Sequence, residues 1–141
     1  MAAYFKNEEE RDAFLAEPRL AILMSNRKSG TPIGVPVWFE WDGTVVQIFA
    51  GKGTSKLQRI QNDPRVSVLV TNSLGEQEVW VAFDGTATVH DDGTAELVAR
   101  LGPKYWDLSK PELKATLDQW IQGAEHMVRI SVEPDRIRAG A

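Results

Sequence analysis

From Thr31 to Trp41 the chain places Val35, Val37, Phe39 and Trp41 at every second position, and it closes on Asp42-Gly43. Period-two alternation marks a strand with one buried face, and Asp-Gly is a strong short-range hairpin signal. A chain with this run is committed to a sheet that covers a core. Its neighbours extend the pattern. Leu20 to Met24 is an apolar run of strand length, Lys28-Ser29-Gly30 is a turn signal, and Thr44 to Phe49 returns after the hairpin. Residues 19–50 therefore read as a three-stranded meander. Val66 to Val70 and Val79 to Val89 alternate in the same way, joined through Asn72 to Gly75. Met127 to Val132 is a further strand, and Arg136-Ile137-Arg138 reads as a last short one.

Helical signals interrupt the strands. Asn7 caps a first helix with Glu10 three residues on, Phe14 and Leu15 form its apolar edge, and Pro18 ends it. Thr54 or Ser55 caps a second helix that runs to about Asn62, with Leu57 and Ile60 inward and Asp63-Pro64 as its stop. Asp91-Asp92-Gly93 turns into a helix from Thr94 to Leu101, which Gly102-Pro103 is expected to break. Ser109-x-x-Glu112 reads as a capping box for a helix ending at Gly123.

The expected fold class is mainly β (α+β): six to seven antiparallel strands closed into a barrel, with two to four short helices inserted. An up-and-down lipocalin-type barrel is the second choice, because it would lack the two C-terminal helices. The 141 residues suit one domain, 1–141, with a single core. Met1 to Glu10 holds Asn7-Glu8-Glu9-Glu10 and no apolar core, so no signal peptide is expected, and no run is long enough to span a bilayer. A cytoplasmic location follows as the expectation, with no membrane partner.

Charge locates a candidate site. No acidic residue lies between Asp42 and Asp63, and that window carries Lys52, Lys56 and Arg59 in a chain of net charge −4. These cations surround Gly51-Lys52-Gly53-Thr54-Ser55, where a small-residue loop runs into a helix start. Such a start offers unpaired N–H groups and the positive end of a helix dipole, and Thr54 and Ser55 add hydroxyls. The composition suits a phosphate, although the spacing is not that of a Walker loop. The same residues also suit an ordinary capped helix with solvated lysines. The acidic balance gives no reason to expect a nucleic-acid partner.

Five tryptophans, Trp38, Trp41, Trp80, Trp106 and Trp120, are many for this length. Alternation puts Trp38 on the face opposite Val37, Phe39 and Trp41, where it can stack on a planar ring, enter a subunit interface or simply pack. Trp41, beside the hairpin, reads as structural. No side-chain catalytic constellation is present. Ser25, Ser29 and Ser55 lack a nucleophile-elbow context. There is no cysteine, and His90 and His126 are the only histidines, so no Cys- or multi-His-ligated metal is expected. An enzyme built from this chain would need an organic cofactor as the reactive group.

The order of these motifs resembles a known family. Leu20-Ala21-Ile22-Leu23, Gly30-Thr31-Pro32-Ile33-Gly34-Val35-Pro36-Val37-Trp38-Phe39, Trp41-Asp42-Gly43, Lys52-Gly53-Thr54-Ser55-Lys56 and Asn62-Asp63-Pro64-Arg65-Val66 together resemble the pyridoxamine 5′-phosphate oxidase-like, flavin- and deazaflavin-binding split β-barrels, over about residues 10–138. The resemblance implies a homodimer with two cofactor sites at the subunit interface. It places the phosphate against Lys52, Thr54, Ser55 and Lys56, with Arg59 nearby. It places the ring along Val35, Pro36, Val37 and Trp38 and beside Phe49 and Ala50, closed by the second subunit through Trp80 or Trp106. Many relatives carry threonine where Ala50 stands. Asp135-Arg136-Ile137-Arg138 only loosely echoes the basic C-terminal motif of true pyridoxamine phosphate oxidases, so vitamin B6 oxidation is not expected.

The implied function is a flavin-dependent oxidoreductase that takes FMN and transfers hydride to or from a small substrate. The compact Thr54-Ser55-Lys56 cluster favours FMN. The deazaflavin coenzyme F-420 is the alternative, with Arg27 and Lys28 available for its longer acidic tail, and the Asp63-Pro64-Arg65 pattern looks like deazaflavin-dependent relatives. A non-catalytic flavin- or haem-binding protein on the same barrel is the second alternative, and a purely structural dimer module is the third.

Overall fold

The computed structural model describes residues 4–141. In chain order it contains α1 (Glu8–Ala16), β1 (Ala21–Asn26), β2 (Pro32–Val37), β3 (Glu40–Trp41), β4 (Val46–Gly51), α2 (Ser55–Asn62), β5 (Arg65–Thr71), β6 (Trp80–His90), α3 (Thr94–Tyr105), α4 (Pro111–Gln122), a short 3-10 turn (Ala124–His126) and β7 (Met127–Gly140). The strands form one antiparallel sheet in the order β2-β1-β5-β6-β7-β4-β3.

Strands β2 and β3 follow each other in the chain but stand at opposite edges of this sheet. The sheet therefore curls until its edges lie one short corner apart, and the resulting barrel is split there. Strand β2 pairs with β1, and β3 pairs with β4. This corrects the meander expected from the alternating run. Alternation survives the corner in the side chains, with Val37 and Phe39 buried and Trp38 between them half-buried. The hydrogen-bond ladder does not survive it, because Trp38 and Phe39 belong to neither strand.

Inward positions fill the core as period two requires. Ala21 and Leu23 of β1, Val46 and Ile48 of β4, Val66, Val68 and Val70 of β5, Val81 and Phe83 of β6, and Val128, Ile130 and Val132 of β7 are all buried in one cluster. Helix α1 seals one side with Phe14 and Leu15, and its Asn7 Oδ1 accepts from the Glu10 N–H at 2.8 Å, as the sequence predicts. Trp41 is structural as expected. Its ring packs 4.7 Å from that of Phe83, and its Nε1–H donates to Asp12 Oδ1 at 2.9 Å.

Three further expectations are corrected. Helix α3 does not break at Gly102-Pro103 but runs to Tyr105. Gly102 is there because α4 packs on it, and a β-carbon at this position would overlap the Leu117 side chain. The capping box at Ser109 does not form. Ser109 instead donates to Asp107 Oδ1, and α4 begins with Lys110 at the cap and Pro111 as its first residue. The two C-terminal strands are one. Strand β7 pairs with β6 along its length, passing a bulge in which Asp84 faces Arg136 and Gly85 faces Pro134, leaving Asp135 unpaired. The backbones approach so closely there that a β-carbon on Gly85 would stand 2.5 Å from the Glu133 carbonyl oxygen.

Candidate functional site

The outer side of the corner carries a group of aromatic rings. Trp38 stacks on Tyr105 with centroids 4.8 Å apart and an interplanar angle of 6°. Trp106 meets Trp38 edge-on at 4.9 Å, and Trp120 lies 5.6 Å from Trp38 and 6.0 Å from Phe49. These rings come from the β2–β3 corner, β4, α3 and α4, which are distant in sequence. Beside them lies a pocket of about 270 Å³ lined by Leu20, Pro36, Val37, Trp38, Phe49, Lys56 and Trp120.

The pocket is apolar except for one cation. Lys56 sits in the first turn of α2, half-buried, and burial together with the neighbouring Arg59 charge pushes its ammonium below the ordinary lysine value. Among the described residues no carboxylate forms an ion pair with Lys56 or Arg59. Arg59 Nε donates to the buried Ser25 hydroxyl at 3.2 Å, which holds the guanidinium against β1. Thr54 occupies the cap position of α2, but its hydroxyl donates back to the Gly51 carbonyl at 2.8 Å and caps no helix N–H. The start of α2 thus keeps its positive end without a side-chain cap, beside a cation that lacks a counter-charge. An anion is the group this arrangement can hold.

Of the residues singled out in the sequence, Pro36, Val37, Trp38, Phe49 and Lys56 line the pocket together, and Arg59 stands next to Lys56. Trp106 joins the aromatic group at 5.0 Å from Trp120. Val35 packs against the core and Ala50 is buried in it, and neither lines the pocket. Lys52 is exposed, with its Nζ 4.0 Å from Asp91. Ser55 is exposed at the helix start. Trp80 lies elsewhere, at the start of β6, with the Arg138 guanidinium 5.6 Å over its ring and Gly140 against its indole. Sequence reasoning gave no role to Leu20, Tyr105 or Trp120. Leu20 entered only as part of an apolar strand run and Trp120 only as one of five tryptophans, because the contacts that bring the three together cross between elements far apart in the chain.

A larger opening of about 520 Å³ lies near Tyr4 and Phe5, lined in part by Glu10, Glu17, Glu76 and Glu78. Its one cation, Arg19, is already paired with Glu76 and Glu17, so this cavity disfavours an anion. His90 Nε2 is 2.8 Å from the Ser131 hydroxyl, and His126 pairs with Glu125 at 3.4 Å. Among the described residues no three histidines or carboxylates converge on a point that could hold a metal ion. Among the same residues no helix is long and apolar enough to cross a membrane.

Comparison with known proteins bears on the fold. No curated protein matches the chain by sequence. Several solved structures share its fold. An F420 reductase superposes with a TM-score of 0.72 at 22% identity, covering 90% of this chain and 94% of that one. A conserved hypothetical protein of Mycobacterium tuberculosis superposes with a TM-score of 0.74 at 23% identity, covering 99% and 87%. An FAD-binding protein of Mesorhizobium loti gives a TM-score of 0.63 at 20% identity, covering 96% and 92%. At these identities the likeness is one of fold. The family profile described as Pyridoxamine 5′-phosphate oxidase matches residues 8–133, nearly the whole sheet and all four helices, and the chain belongs to that family.

Proposed function

We propose that the chain binds a phosphate-bearing flavin-type cofactor, FMN in the first instance, and works as an oxidoreductase on a small substrate. The observation that carries this reading is Lys56: a half-buried ammonium without a carboxylate partner, at an uncapped helix start, on the wall of an aromatic pocket. Lys56 and Arg59 would hold the phosphate, while Trp38, Phe49 and Trp120 would flank the ring and exclude water. The cofactor supplies the hydride chemistry when bound. The chain's own part is to bind, orient and desolvate it. Leu20 is 54% exposed at the rim, and Pro36 is exposed beside it, so the pocket is open on one side. A second copy of the chain would cover that side, giving a homodimer with the ring at its interface.

One observation favours the deazaflavin coenzyme as a second reading. Arg27, Lys28 and Arg65 line an open cavity of about 610 Å³ by the far end of α2, where Asn62 and Asp63 stand, and a longer acidic tail could reach them. Titration of the purified chain with FMN and with the deazaflavin coenzyme tests both readings. Saturable binding of one of them, weakened at least about tenfold by Lys56→Met, is the expected result. If neither binds, the cofactor reading falls.

A further inference from the structure

We propose that Tyr105 is a positioning residue that fixes the Trp38 wall of the ring pocket, an inference that rests on the cofactor reading above. Two segments of non-strand chain line that pocket side by side, one ending in Leu20 and the other carrying Trp38, and both run on from the Ala21–Val37 pair that ends the β1–β2 ladder. Beyond that pair the ladder stops: β1 begins at Ala21, and Trp38 and Phe39 fall between β2 and β3. One side chain ties them together. The Tyr105 hydroxyl donates to the Arg19 carbonyl at 2.7 Å, next to Leu20, and accepts from the Phe39 N–H at 3.2 Å, next to Trp38.

The rest of Tyr105 holds the wall itself. Its ring stacks on Trp38 at 4.8 Å and nearly parallel, so the indole cannot turn away from the pocket without losing that contact. Lys104 supports the same corner from the preceding position: its Nζ donates to the Phe39 carbonyl at 3.0 Å and to the Leu15 carbonyl at 3.3 Å. Both backbone polar groups of Phe39 are therefore satisfied by side chains from the last turn of α3, where a strand residue would use its neighbour's backbone. Burial raises the Tyr105 phenol to about 12, so the hydroxyl stays protonated and keeps donating through the neutral range.

The clamp acts on the ring and not on the phosphate, which Lys56 reaches from α2. That separation gives the test. FMN, riboflavin and inorganic phosphate are titrated against the wild-type chain, Tyr105→Phe and Lys104→Met. Tyr105→Phe keeps the stacked ring and removes only the bridging hydroxyl. It should weaken FMN and riboflavin about tenfold, the size of one lost buried hydrogen bond, and leave phosphate affinity unchanged. Lys104→Met should shift the two ring ligands in the same direction by less, and it decides the matter alone if Tyr105→Phe does not fold. Unchanged ring affinity, or an equal loss for ring ligands and phosphate, overturns the proposal. If the wild-type chain binds neither flavin, the cofactor reading fails separately, and near-ultraviolet circular dichroism then tests the clamp. Loss of the tryptophan signal in Tyr105→Phe at unchanged far-ultraviolet intensity supports it, and an unchanged spectrum overturns it.

Discussion

Gly102 in α3 lies directly under Leu117 in α4, so close that a β-carbon on Gly102 would overlap both terminal methyls of Leu117 and stand 3.1 Å from its Cγ. This contact sets how near α4 comes to α3, and α4 carries Trp120 to the pocket. Gly102→Ala adds helix propensity worth about 1 kcal/mol, but overpacking a buried contact costs about 1–3 kcal/mol. The expected balance is a loss of about 1 kcal/mol, read as a melting temperature lower by about 3 °C, with a shift in tryptophan emission. Leu117→Ala added to Gly102→Ala should restore the emission. A melting temperature above wild type would show that the helices have room to spare.

The phosphate assignment separates two lysines that look alike in sequence. Lys56 is half-buried without an acidic partner, whereas Lys52 is exposed and stands 4.0 Å from Asp91. Lys56→Ala should weaken FMN by at least about tenfold at low salt, and Lys52→Ala by less than about threefold. The Lys52 effect should vanish in about 1 M salt, where exposed charges are screened, while most of the Lys56 effect persists. Equal effects for the two would place the phosphate elsewhere.

Burial lowers Lys104 from the ordinary lysine range to about 8, against the opposing pull of Glu40. Below that value the ammonium is charged in both folded and unfolded chains, and the folded state carries the cost of burying it. Between about 8 and 10.5 the unfolded chain holds the proton more tightly, so stability gains with rising pH across that window. Wild-type stability measured relative to Lys104→Met should therefore rise between pH 8 and pH 10. A flat difference would mean that the carbonyls of Phe39 and Leu15 keep the ammonium at its ordinary value.

Next to Leu20 in the chain, Arg19 is 5% exposed, lies 3.9 Å over the Phe14 ring and is paired with Glu76 from the β5–β6 loop. Its hydrogen bonds, with help from the Ser73 N–H, hold the Glu76 carboxyl down at about 2. The stability this supplies is complete above the ordinary value of 4.5 and is lost as pH falls toward 2. Glu76→Gln should be less stable than wild type at pH 6, and the two should converge near pH 2. The variant should also be cut faster by protease at the β5–β6 loop, where Leu74 is fully exposed.

Much of this was legible in residues close together in the chain. Alternation at Val66, Val68 and Val70 named a strand and its inner face, and Asn7 with Glu10 named a helix start, because both signals act over a few residues. The cation-rich window around Lys56 was visible for the same reason. The pairing of β2 with β1 and of β3 with β4 was not, since a period-two run looks identical whether it keeps one neighbour or changes partners at Trp38. Gly102-Pro103 read as a helix stop because the close approach of Leu117, which makes glycine necessary there, comes from another helix. Tyr105 carried no local mark at all, and Trp120 stood out only as one tryptophan among five.

The sequence by itself determined the kind of chain: an antiparallel sheet over an apolar core, no thiol, and one stretch from Gly43 to Asn62 with three cations and no acid. These follow from period, composition and short-range charge, which need no partner. Only the tertiary structure decided that the sheet splits at Trp38–Phe39, that the split is held by Lys104 and Tyr105, and that Lys56 opens onto aromatic rings without a carboxylate to neutralise it. Those outcomes depend on burial and on contacts between elements dozens of residues apart, and burial is what turns a common lysine into a candidate anchor.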